Sequence, residues 1–129
     1  MTKQAKYISR VLIESPYYVG LCKTNAQFKS ELERLGVDKN TWSEWVPSDK
    51  DGRVHSLYSK DGKPICLVCI KHKKNISRVS VIGLIIHEAV HIWQHIREDI
   101  NEESPSKEFE AYSIQQIAQE LIIAYYGDF

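Results

Sequence analysis

Apolar positions along this chain fall into two rhythms. In the first half they come in short runs or alternate with polar residues. YYVGLC (17–22) reads as a strand after Pro16, and VHSLYS (54–59) and PICLVCIK (64–71) flank KDGK as the arms of a hairpin, with Asp61-Gly62 as the turn former. In the second arm Ile65, Leu67 and Cys69 alternate with Cys66, Val68 and Ile70, so both faces are apolar and Cys66 and Cys69 point to opposite sides. The other rhythm is helical. NAQFKSELERLG (25–36) places Phe28, Leu32 and Leu35 on one face and ends at Gly36, a suitable C-cap. A helix is predicted from Ser77 or Ser80 to about Glu98. Another starts near SPSKEFE, with Ser104 as cap and Pro105 in the first turn, and ends at Gly127. Residues 3–14 fit helix or strand equally, and 38–53 form a polar loop that Trp42 and Trp45 pin to the body. Strands followed by two helices make an α+β fold in a single domain, 1–129.

The long helix carries an anomaly, IIHEAVHIWQHI (85–96), in which titratable groups interrupt an apolar run. At about 100° per residue, Ile82, Ile85, Ala89, Ile92, Trp93 and Ile96 gather on one broad side. His87 and His91 stand almost opposite its centre, flanked by Leu84, Glu88 and His95. The imidazoles therefore avoid the packing stripe and look into a cleft. Residues four apart stack one turn above the other, so both rings can offer a nitrogen to one Zn²⁺. Glu88, swung about 100° round the helix, is placed to take a proton from a water that such an ion activates and to return it to a leaving amine. His87-Glu88-x-x-His91 is thus the H-E-x-x-H pattern with a role for each residue. The plain alternative is a pair of surface histidines on an amphipathic helix. His95, a further turn on, reads as a wall of the cleft rather than a ligand.

Composition narrows the setting without changing this picture. The 129 residues are 43% hydrophobic and 26% charged, with 17 basic against 17 acidic side chains. That balance implies no polyanion-binding surface, and IKHKKN (70–75) reads as a solvated turn, so no nucleic-acid partner is expected. No transmembrane span is expected, and MTKQAKYISR lacks the apolar core of a signal peptide. Three cysteines, Cys22, Cys66 and Cys69, make no disulfide framework, and a cytoplasmic setting follows as the expectation. His55 and His72 are expected at the surface, and Trp93, Tyr125 and Tyr126 in packing.

A catalytic zinc keeps three protein ligands and one open position. Downstream, Glu102 and Glu103 fall in a connecting loop, leaving Glu108 and Glu110. The last helix's stripe is Ala111, Ile114, Ile117, Ala118, Leu121 and Tyr125. Glu110 lies near its centre, where a carboxylate is costly unless bound, which leans toward Glu110 without deciding.

An H-E-x-x-H helix followed by a glutamate on the next helix resembles the gluzincin branch of zinc peptidases, which includes thermolysin-like and anthrax-lethal-factor-like enzymes. In several of these the third ligand opens a run E-F-x-A. Glu108-Phe109-Glu110-Ala111 matches it, so the resemblance implies Glu108 as third ligand beside His87 and His91. Tyr112 replaces the acid that follows four residues after the ligand. It is then a candidate to hold a ligand's free edge or, like His95, to polarise the substrate carbonyl. The metzincin pattern needs Gly and His where Gln94 and Arg97 stand, which excludes that subclass. The likeness spans residues 65–125 at most and extends to small phage-type metallopeptidases. It implies a minimal zincin-like domain, zinc as cofactor, Glu88 as general base, and a peptide or protein substrate extended along an edge strand, for which PICLVCIK is the expected element. The alternative is a zincin-like module that holds zinc and recognises a partner without cutting it.

Overall fold

The computed structural model describes residues 3–8 and 17–127. Of the ambiguous opening segment, Lys6–Tyr7 form a short strand, β1, and residues 9–14 lie outside the described residues. There follow β2 (Tyr18–Cys22), α1 (Asn25–Arg34), β3 (Gly52–Tyr58), β4 (Pro64–Ile70), α2 (Arg78–Asp99) and α3 (Lys107–Tyr126), with a 3-10 turn at Lys39–Thr41. The class is α+β, as the patterning predicts.

The four strands form one mixed sheet in the order β1-β2-β4-β3. β2 runs parallel to β4, with Leu21 opposite Val68, while β3 is antiparallel to β4, with Val54 opposite the same Val68. The edge expected at PICLVCIK therefore belongs to β3 instead. The physical reason lies in the sequence of β4 itself. Residues 65–70 are apolar on both faces and at most 3% exposed, and a strand of that kind is stable only between neighbours and under cover on both sides.

Each face of the sheet has its own core. Cys22, Ile65, Leu67 and Cys69 meet Phe28 and Leu32 of α1, with Val46, Trp42 and Trp45 from the 38–51 loop. Val19, Leu21, Cys66, Val68 and Ile70 meet Val81, Ile85, Ala89, Ile92, Trp93 and Ile96 of α2, and Ile117, Ala118, Leu121 and Tyr125 of α3. Cys66 and Cys69 thus sit in separate cores, as strand alternation requires. Ile85, Ile92 and Leu121 are fully buried, each a stabilisation of roughly 1.5–3 kcal/mol relative to exposure.

Helix ends show why the elements stop where they do. Ser77 caps α2, its Oγ accepting from Ser80 N at 3.1 Å. By length and composition α2 is long and apolar enough to cross a membrane, contrary to expectation; here its apolar stripe faces the sheet and α3. Ser106, not Ser104, caps α3, accepting from Phe109 N at 3.2 Å, with Pro105 before the cap rather than in the first turn. Gly127, at φ 88°, closes α3 in the left-handed region, and its N–H donates to Ile123 O at 2.7 Å.

Candidate metal centre

His87 and His91 project from the exposed side of α2, away from the stripe that holds the helix to the sheet. Their Nε2 atoms lie 3.2 Å apart, with ring centroids 4.8 Å apart and planes crossing at 76°. Two nitrogens bound at 2.0–2.1 Å to a tetrahedral ion stand about 3.3 Å from each other, so the pair has the spacing a zinc ion needs. His91 Nδ1 lies 3.0 Å from Gln94 Oε1. A proton on Nδ1 donates to that oxygen and leaves the Nε2 lone pair directed at the space shared with His87. Gln94, one turn beyond His91, was not singled out by sequence reasoning. The signal available was its i+3 spacing from His91.

Glu88 takes the opposite course and turns inward. It is only 4% exposed and lies against the start of β3, where a Cβ added to Gly52 would come 3.3 Å from Glu88 Oε1 and 3.4 Å from Cys69 O. Nothing about the backbone of Gly52 demands glycine; the carboxylate beside it makes the space for a side chain tight. Burial pushes the Glu88 carboxyl upward in pKa, against the opposing pull of His87 and His91.

The cleft in front of these groups has two lobes. One, of about 860 Å³, runs toward the N-terminus of α2 past Lys73, Asn75, Ile76, Ser80 and Leu84. The other, of about 450 Å³, runs past Pro47, Arg53, Val54, His91 and His95. Lys50, Gly52, His87 and Glu88 line both. Among the described residues β3 pairs only with β4, so its outer edge borders the cleft with unpaired backbone groups.

The remaining candidates are placed elsewhere. Glu110 Oε2 accepts from Trp93 Nε1 at 2.9 Å, and Trp93 meets Phe109 edge-on at 5.5 Å. Trp93 is turned about 160° round α2 from His91, so α3 delivers Glu110 to the far side of the helix. Glu108 stands exposed on the first turn of α3. Among the described residues no ready-formed group of three or more His, Cys, Asp and Glu side chains suited to a metal is present. Tyr112 is 58% exposed on α3 and lines neither lobe. His95 does line the smaller lobe, its ring 6.2 Å from that of Tyr17.

Two expectations about histidines divide. His72 is exposed, with Nδ1 3.0 Å from Tyr125 Oη. His55, expected at the surface, is 7% exposed; its Nε2–H donates to Trp45 O at 2.8 Å and its ring lies 4.5 Å from that of Phe28. The hairpin reading put His55 on a strand arm but could not see that the 38–51 loop folds over it. Glu31, also unforeseen, is buried and holds Arg34 (2.9 and 2.6 Å) and the Tyr7 hydroxyl (2.8 Å). Comparison of the chain with protein-family models, curated proteins and solved structures finds no significant match.

Proposed function

We propose that this chain is a zinc-dependent peptidase built on a minimal zincin-like domain. The observation that carries the reading is the 3.2 Å separation of the His87 and His91 ring nitrogens, with a buried carboxylate one residue away and an open strand edge beside them. His87 and His91 would hold the ion. Glu108 is the proposed third ligand, since it is exposed where Glu110 is engaged by Trp93. When bound, zinc supplies Lewis acidity toward the scissile carbonyl and the attacking water. Glu88 takes the proton of that water and passes it to the departing amine. The substrate lies extended along β3, whose free N–H and C=O groups pair with its backbone and fix its register across the histidines.

A second reading is a zinc-holding recognition module that does not cut. It draws on one observation, that no third ligand stands beside the pair among the described residues. Zinc content and cleavage of a broad peptide library separate the two. The peptidase reading expects one zinc per chain, lost in His87→Ala, and hydrolysis that vanishes in Glu88→Gln while zinc stays. Cleavage that persists in Glu88→Gln would remove the general base from the scheme, and a chain that takes up no zinc would remove the scheme itself.

A further inference from the structure

We propose that Lys50 is a further catalytic residue of this site, its ammonium donating a hydrogen bond to the oxyanion that forms when water adds to the scissile carbonyl. The inference rests on the peptidase reading above and assigns a donor that the reading leaves unnamed.

Four residues line both lobes of the cleft, and Lys50 is the one cation among them. The lobes meet where His87 and Glu88 stand, which is where a scissile bond must lie. The other basic groups nearby are engaged. Lys73 is ion-paired with Asp51, Arg53 Nη1 donates to Glu44 O at 3.2 Å, and Lys71 Nζ donates to Pro47 O at 3.0 Å. Lys50 makes no hydrogen bond or ion pair through its side chain with the described residues.

Its backbone, by contrast, is fixed. Lys50 N donates to Pro47 O at 3.0 Å, closing a turn over the rim of the cleft. Lys71 holds that same carbonyl, Lys71 N donates to Asp51 O at 2.9 Å, and Lys73 holds the Asp51 carboxylate. Val46, buried at 4% exposure, anchors the chain just before the turn. A tethered Cα and an exposed side chain that borders both lobes, its ammonium unpaired among the described residues, suit a group that must meet charge only when charge appears. Tyr112 and His95, the donors the sequence suggests, serve less well. The first lies outside the cleft, and the second lines one lobe only.

The step balances without a further reactant. The water oxygen bonds to the carbonyl carbon, the carbonyl π pair moves onto its oxygen, and the water proton goes to Glu88. Lys50 donates a hydrogen bond to that oxygen and keeps its proton. When the oxyanion re-forms the carbonyl, the C–N bond breaks and Glu88 returns the proton to the amine.

The test compares wild type, Lys50→Met and Lys50→Arg, each loaded with zinc, in peptide hydrolysis and in calorimetric binding of a phosphonamidate peptide, whose tetrahedral anion stands where the oxyanion would form. The expected result for Lys50→Met is a kcat about a hundredfold lower at similar KM, and at least tenfold weaker phosphonamidate binding. Zinc content and Tm should be unchanged, and Lys50→Arg should recover most of the loss. A rise in KM alone, confined to acidic peptides, would make Lys50 a docking cation and overturn the proposal. Unchanged phosphonamidate binding would overturn it too, with the peptidase reading intact. Wild-type protein that holds neither zinc nor the phosphonamidate would sink the peptidase reading, and Lys50's role with it.

Discussion

Acidification should weaken this fold through His55, and the size of the effect can be worked out. The imidazole is 7% exposed, lies on Phe28 and donates from Nε2 to the Trp45 carbonyl. Burial lowers its pKa below the ordinary value, outweighing the Trp45 bond, which raises it; Arg53 lowers it further. The unfolded chain therefore binds the proton first. Above about pH 6.5, the unperturbed histidine value, both states are neutral at this site and its full contribution is present. Below that, stability falls by up to about 1.4 kcal/mol per pH unit until the folded imidazole also protonates. Replacing His55 by Gln costs about 1–3 kcal/mol at pH 7.5 through the disturbed Trp45 bond and ring contact, but it removes the titration. The gap between wild type and His55→Gln should consequently narrow as pH falls from 6.5 to 5.5. Urea denaturation with a chelator present measures it, since chelation removes metal linkage. His72, His87, His91 and His95 are common to both proteins and cancel in the difference. A gap constant across that range would show that His55 titrates alike in both states and would refute the reasoning.

Three further outcomes are expected. Gln94→Leu should weaken zinc binding about 10–100-fold with little change in metal-free stability, because it frees the His91 ring to turn; competition with a chromophoric chelator reads the change. Glu108→Ala should lower zinc affinity and leave the metal-free Tm alone, whereas Glu110→Ala should lose about 1–2 kcal/mol of stability with its bond to Trp93; the reverse assignment would exchange the two ligand candidates. Gly52→Ala should keep its fold and zinc yet lose hydrolysis at least tenfold, since the new methyl group meets the Glu88 carboxylate; undiminished kcat would show that the carboxylate has room to retreat.

What the chain discloses in one dimension is what depends on neighbours in sequence. The positions of α1, α2 and the β3–β4 hairpin follow from periodicity, as does the separation of Cys66 from Cys69 into different cores. So does the exposure of His87 and His91, because a helix fixes the angle between its stripe and its opposite face. Long-range pairing is another matter. Nothing local tells that β2 runs beside β4, and the apolar face-and-face pattern of PICLVCIK marks an interior strand, so its nearness in sequence to the histidine helix does not make it the edge of the cleft. Glu88 appears polar in sequence yet is buried, since its depth depends on a glycine 36 positions upstream. His55 and Glu31 are buried for the same kind of reason, under a loop and beside Tyr7 respectively. The third ligand rests on a short run of sequence, which cannot tell that α3 gives Glu110 to Trp93 and leaves Glu108 exposed.

The outer edge of β3, which pairs with no strand among the described residues, has a bearing on how the protein behaves in a crowded solution. Backbone groups have no means of telling an extended peptide from a strand of an identical neighbour, so an edge open to the one is also adhesive toward the other. Arg53 sets one positive charge on that margin. Two copies laid edge to edge in antiparallel fashion would bring those charges toward each other, a mild deterrent that salt weakens. Storage at low ionic strength and modest concentration is therefore the condition under which this molecule should stay monodisperse.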